Sequence, residues 1–157
     1  MIQPLLQEPD TETAARRPMT CLLRENTDQL SLSMIYQRIV DGFAMEDMEA
    51  FIKSCALEST AQTIVRALGL PIRASQRRQS NQKDFRLTPS QSALAFQYAQ
   101  VLERSTLVFG TQTDAEEWLR RPCRSLNGNV PLIMVENVIG AQLVCEYLKR
   151  VESGVYQ

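Results

Sequence analysis

Histidine is absent from the 157-residue chain. With it go Ser-His-Asp triads, Cys-His dyads, histidine-ligated zinc and any imidazole acid or base. Glycine is scarce, six residues with none closely spaced, which excludes a glycine-rich phosphate loop and a dinucleotide fingerprint. The four cysteines, Cys21, Cys55, Cys123 and Cys145, each stand more than 20 positions from the next. No C-x-x-C pair is therefore available to chelate a metal or run redox exchange, and the thiols read as small buried apolar side chains. Long hydrophobic runs are also missing. The longest, residues 93–96 and 132–135, have four members, against about 20 for a membrane span and about 7 to 15 for a signal-peptide core. The chain reads as cytosolic, with no membrane partner, no metal, no cofactor and no catalytic residue.

What is present is an ordinary globular balance, 44% hydrophobic and 22% charged, in a length that suits one domain or two small ones. The formal net charge is -1, yet residues 66–86 hold Arg66, Arg73, Arg77, Arg78, Lys83 and Arg86 against Asp84 alone. That stretch carries a net charge of +5 and leaves -6 on the remainder. A basic stripe on an otherwise acidic chain is the footprint of a nucleic-acid surface. Acidic clusters, Glu46 with Asp47 and Glu49, and Glu116 with Glu117, open predicted helices, where carboxylates favour the positive end of the helix dipole.

Periodicity predicts helices throughout. Residues 1–29 contain Pro4, Pro9 and Pro18 and only a short apolar patch at Cys21, Leu22 and Leu23, and are expected to form a mobile arm. Leu32, Ile35, Tyr36, Ile39, Val40 and Phe43 lay one apolar stripe on a helix ending at Gly42. Met48, Phe51, Ile52 and Cys55 repeat the spacing, as do Ala61, Ile64, Val65 and Leu68 behind Ser59 or Thr60 as cap. Gly69 then turns the chain, Leu70 anchors it, and Pro71 starts a short basic segment to about Ser80. Two helices across a tight glycine turn, the second rich in arginine, outline a helix-turn-helix. Arg73, Gln76, Arg77 and Ser80 share one face of that second helix, and with Ser75 and Arg78 they are the residues expected to contact DNA. Thr88, Pro89 and Gln91 form a capping box that opens a helix of about five turns running to Gly110. Thr113 with Glu116 reads as a second box, opening a short helix in which Trp118 is expected in the core. Asn127 and Gly128 supply a turn, Pro131 starts another helix, and Leu143, Val144, Tyr147, Leu148 and Val151 mark a last one ending at Gly154.

Several spaced words in the C-terminal half are similar to one known family. They are Val108-Phe109-Gly110, Ala115 with Trp118-Leu119, then Pro122, Leu126, Gly128 and Pro131-Leu132, then Gly140-Ala141 and Val144, and last Leu148, Arg150, Glu152 and Gly154-Val155-Tyr156. In this order and spacing they resemble the C-terminal toxin-binding domain of Xre/MbcA/ParS bacterial type II antitoxins. Upstream, Leu68-Gly69-Leu70, Arg77-Arg78 and Leu87-Thr88-Pro89 resemble the helix-turn-helix half of the same proteins, so the likeness covers residues 39–157. The resemblance implies an inhibitor paired with a RES-domain toxin that consumes NAD, a carboxyl end set at the mouth of the toxin's NAD pocket, and a homodimer that represses its own operon. It places Arg150, Glu152, Gly154, Val155, Tyr156 and Gln157 at the toxin and Arg73, Arg77 and Arg78 at operator DNA. Ile133 and Val138-Ile139 depart from the family pattern by being apolar.

The expected molecule is therefore all-α: an arm over 1–29, an Xre-like helix-turn-helix domain over 30–87 and a small helical toxin-binding domain over 88–157. The competing reading from another class is a stand-alone helix-turn-helix regulator whose C-terminal domain only dimerises.

Overall fold

A computed structural model describes residues 17–71 and 85–154. Among these the chain is all-helical, without a strand. In order come α1 (Pro18–Leu23), α2 (Leu32–Asp41), α3 (Met45–Ser54), α4 (Glu58–Ala67), α5 (Pro89–Phe109), α6 (Gln112–Leu119), α7 (Pro131–Met134) and α8 (Val138–Glu152). Short 3-10 turns stand at Thr27–Gln29 and Arg124–Leu126.

The 21-residue α5 is the axis of the molecule. Its start follows from the sequence: the Thr88 hydroxyl accepts from the Gln91 amide at 3.1 Å, and the Gln91 side chain accepts from the Thr88 amide at 3.0 Å, so two orphan donors of the first turn are satisfied. α1, α2, α6 and α8 all pack on α5. Its buried positions, among them Ala95, Tyr98, Ala99, Val101, Leu102 and Ser105, lie on more than one face because helices cover it on several sides. A single apolar core runs from Met19 through Phe51, Ile64 and Leu102 to Leu148. The two expected halves thus share one core and one helix.

The mobile-arm expectation is corrected for its described part. Pro18 opens α1 as a first-turn proline, and Met19, Leu22 and Leu23 are buried against α3 and α5. Their i, i+3, i+4 spacing is a helical stripe, and burying it outweighs the cost of ordering six residues. The helix closes on Arg24 in the left-handed region at φ 59°. Arg38 donates to the Leu23 carbonyl and pairs with Glu25 at 2.6 Å, while Arg24 bridges to Asp47. Residues 1–16 lie outside the described part.

The Met19 amide donates to the Glu103 carboxylate at 3.3 Å. Burial pushes the Glu103 carboxyl above its ordinary value and Asp28 adds to this, while the Met19 bond and Arg17 oppose it. A carboxyl raised on folding contributes stability below its unfolded pKa and loses it as pH rises through the folded value. Glu103→Gln keeps an acceptor for Met19 without the buried charge. Urea midpoints are expected to be higher than wild type at neutral pH, with the gap closing as pH falls through the raised folded value and gone below the ordinary carboxylate pKa of about 4.3; a variant weaker than wild type at neutral pH contradicts this.

The α2 stripe is only partly a core stripe. Ile35 and Phe43 are buried and Ile39 half-buried, whereas Leu32 is 85% exposed and Tyr36 67%. α2 rests on α5 along its Ile35 edge, which leaves Leu32, Tyr36 and Val40 turned outward.

Candidate functional site

The C-terminal helix and its approach form the first part of the site. Ala141, Val144 and Leu148 seat α8 in the core. Asn137 caps it, its side-chain oxygen accepting from the amides of Ile139 at 2.8 Å and Gly140 at 3.3 Å. The corner with α7 is tight: a Cβ on Gly140 would stand 2.1 Å from the Met134 carbonyl oxygen, so no larger residue fits without moving α8. Trp118 is half-buried rather than fully in the core. It lies 5.1 Å from Phe109 and stacks on Tyr147 at 5.6 Å with the rings 5° apart, joining α5, α6 and α8 through aromatic faces.

The far end of α8 is open to solvent. Arg150 and Glu152 are exposed, and Glu152 reaches Arg104 of α5 at 3.5 Å, an exposed pair worth little in stability but able to fix direction. Lys149 and Arg150 lie in the last turn, where cations favour the helix dipole. Gly154 is exposed. The structure thus places Arg150, Glu152 and Gly154 together on one accessible end; Val155, Tyr156 and Gln157 lie outside the described residues.

The expected DNA-contacting residues Arg73, Ser75, Gln76, Arg77, Arg78 and Ser80 also lie outside them. Their flanks are described, and both are pinned. At the end of α4 the Gly69 amide bonds to the Arg66 carbonyl at 3.0 Å and the Leu70 amide to that of Val65 at 3.1 Å, the paired bonds of a Schellman cap, with Leu70 buried. On the other side the Leu87 amide donates to Phe43 at 2.9 Å and the Met45 amide to Phe85 at 3.1 Å, while Arg86 donates to the Gly42 carbonyl at 2.8 Å. Gln91, besides capping α5, donates to the Leu68 carbonyl at 2.9 Å. The basic stretch therefore leaves and rejoins the body at neighbouring points beside the start of α5.

Two cap assignments are corrected, and one of them exposes an interaction that periodicity missed. α6 is capped by Thr111, whose hydroxyl accepts from the Asp114 amide at 3.2 Å, not by Thr113. Glu116, released from that role, is fully buried. Its carboxylate accepts from the Ala56 amide at 2.7 Å and the Leu57 amide at 2.8 Å. Gln112 donates to it at 2.8 Å and to the Ser54 carbonyl at 2.6 Å. The α3–α4 turn is thus held by side chains of α6, so α4 needs no cap from Ser59 or Thr60, and its N-cap Leu57 makes no side-chain bond. A glutamate near a helix start looks like dipole compensation in sequence, and only the fold reveals its partners.

Burial also pushes the Cys55 thiol up to about 12, with Glu116 and Cys21 adding to it, and raises Cys145 above its ordinary value. Neither is a ready nucleophile, since the thiolate is the reactive form. Among the described residues no group of three or more Cys, Asp or Glu side chains is placed to hold a metal, and no described helix is long and apolar enough to cross a membrane.

Comparison with known proteins falls on this same region. Residues 105–154 match the family model for the antitoxin Xre/MbcA/ParS C-terminal toxin-binding domain. The chain is 32% identical over 94 residues to an antitoxin Xre of Yersinia enterocolitica (serotype O:8, biotype 1B), covering 59% of this chain and 62% of that protein. It is 30% identical over 93 residues to an antitoxin Xre of Photorhabdus laumondii subsp. laumondii, with the same 59% and 62% coverage. The chain thus matches about three-fifths of the length of these curated relatives. The matched stretch runs from the end of α5 through Trp118, the Gly140 corner and Arg150 to Gly154, and over it the chain is similar to the C-terminal toxin-binding domain of Xre/MbcA/ParS antitoxins.

Proposed function

We propose that the chain is the antitoxin of a bacterial type II pair. It binds a RES-domain toxin through its C-terminal domain, residues 88–157, and blocks access to the toxin's NAD site with its carboxyl end. Through the basic stretch after α4 it represses its own operon as a homodimer in the cytoplasm. The observation that carries the reading is the coincidence of the toxin-binding family match with an exposed α8 end bearing Arg150, Glu152 and Gly154. A core that seats α8 firmly on α5 gives the tail a rigid base, which lowers the ordering cost of inserting it. No chemistry is asked of the chain itself; the mechanism is occlusion. The domain plan follows the shared core: α1 joins the helix-turn-helix part, and α5 serves both parts.

The operator arm is supported by the local charge of +5 over residues 66–86 and by the pinned flanks of that stretch. Deleting residues 155–157 is expected to abolish neutralisation of a co-expressed RES-domain toxin while leaving operator affinity unchanged. Replacing Arg73, Arg77 and Arg78 with alanine is expected to do the reverse. It is also expected to flatten the salt dependence of operator binding, by roughly one logarithmic unit of slope for each phosphate no longer neutralised. Neutralisation that survives the deletion rejects the tail; operator affinity that survives the arginine replacement rejects that segment as the DNA reader.

A further inference from the structure

We propose that the cleft between α4, α6 and α7 is a second phosphate-contacting surface for duplex DNA, in which Arg66 and Arg120 hold one backbone phosphate. This rests on the operator-binding reading above. The cleft has a volume of about 550 Å³. Arg66, in the last turn of α4, stands on one wall, and Arg120, which follows the last turn of α6, on another. Thr63 and Glu136 border the same space, with Ala67 and Leu132 as apolar lining.

Arg24, Arg38, Arg104 and Arg121 each meet a carboxylate. Arg66 and Arg120 do not: among the described residues neither guanidinium has an ion pair or a side-chain hydrogen bond, although Glu136 borders the same cleft. Two like charges brought to one cleft from distant parts of the chain create a field that an anion relieves, and low-dielectric walls concentrate it. The guanidinium fork matches the oxygens of a phosphate. The surrounding charge points to DNA as its source. Arg66 lies one turn before the Gly69 and Leu70 cap at which the basic stretch leaves the body. On the α6 side, residues 118–135 carry Arg120, Arg121 and Arg124 and no Asp or Glu. A duplex presents a phosphate roughly every 3.4 Å along each strand, so DNA gripped by the basic stretch has further phosphates to offer beside Arg66.

The test is Arg66→Ala with Arg120→Ala in the full chain, measured by fluorescence anisotropy on a duplex from upstream of its own reading frame and on a duplex of unrelated sequence. Both side chains are exposed, so the circular dichroism melting curve is expected to match wild type. A phosphate contact carries no base information. Affinity is therefore expected to fall by about 10-fold on both duplexes, and the salt slope to flatten by about one logarithmic unit. Lys53→Ala with Lys149→Ala removes the same charge from α3 and α8 and is expected to stay within about 2-fold of wild type. Glu136→Gln, which takes an anion out of the cleft, is expected to tighten both duplexes by about 2-fold. Unchanged affinity of the arginine variant overturns the proposal, as does an equal loss in the lysine variant or weaker binding by Glu136→Gln. If DNA affinity is unchanged while inorganic pyrophosphate binds wild type and not the arginine variant, the cleft belongs to a small phosphorylated molecule and the proposal falls. Should the double variant not fold, Arg120→Ala alone carries the test, with about a 3-fold loss expected and no loss overturning the proposal. Failure of the wild-type chain to bind either duplex sinks the operator reading itself, a result distinct from all of these.

Discussion

Glu116→Ala is expected to destabilise the chain strongly. The carboxylate is fully buried and accepts from the Ala56 and Leu57 amides, which lie 60 and 59 positions away in sequence. Truncation strips two part-buried backbone donors of their acceptor, at a cost toward the lower end of about 1 to 3 kcal/mol each, and adds the space vacated by the side chain. A loss of about 3 kcal/mol or more follows, which for a chain of this size lowers Tm by about 6 to 12 °C. Glu116→Gln is expected to lose less. It keeps the volume and one carbonyl oxygen but turns an amide nitrogen toward a donor. Calorimetric melting of the three proteins checks the order. An alanine variant melting within about 1 °C of wild type, inside the smallest of those per-kcal shifts, contradicts the buried clamp.

Gly42→Ala comes second. Gly42 ends α2 at φ 80° and ψ 136°, a region closed to most side chains, where a strained non-glycine residue costs about 1 to 3 kcal/mol. A Cβ there also stands 2.2 Å from the Leu87 carbonyl oxygen. That carbonyl cannot retreat cheaply, because the Leu87 amide is bonded to Phe43 at 2.9 Å and the Leu87 side chain is buried. Strain and clash together predict a loss of about 3 kcal/mol or more. Gly110→Ala is the internal control: its φ is 88°, yet nothing lies within 4 Å of the added carbon, so it bears the strain alone. Urea midpoints of the two variants separate the contributions, and equal losses would show that the close approach to Leu87 does not matter. Because residues 42–45 and 85–87 tie down one end of the basic stretch, Gly42→Ala is also expected to weaken operator binding, and Gly110→Ala to leave it intact.

Glu116 marks the limit of what the sequence reveals. Local signals are legible: the Thr88–Gln91 box, Pro131 opening α7, Gly69 closing α4 and Gly42 closing α2 all depend on residues within one or two turns. The α6 cap lies two positions from the expected one because Thr111 and Thr113 each precede an acidic residue by three, and only packing decides between two such boxes. α1 escapes a local reading although Pro18 and the Met19, Leu22, Leu23 spacing are in view, since a six-residue helix gains its stability from the surface it covers and not from its own propensity. The α2 stripe errs in the opposite sense, since Leu32, Tyr36 and Val40 keep helical spacing while facing solvent. Glu116 has no local signal at all. Its role depends on α6 and the α3–α4 turn meeting across about 60 residues.

The candidate site is legible in a different way. Arg150, Glu152 and Gly154 come from a family likeness, and the family match over residues 105–154 covers them. The cleft has no such signal. Arg66 and Arg120 stand far apart in sequence, and only the fold brings them to the walls of one space.

Occlusion of the toxin's NAD site is the claim on which the proposed function stands, and it is read most directly by titrating NAD into the preformed complex of the full chain with a RES-domain toxin. With the pocket blocked, no heat of NAD binding to that complex is expected, and binding is restored when residues 155–157 are absent but the rest of the interface still holds the toxin. NAD binding to the full complex as tightly as to free toxin would contradict occlusion.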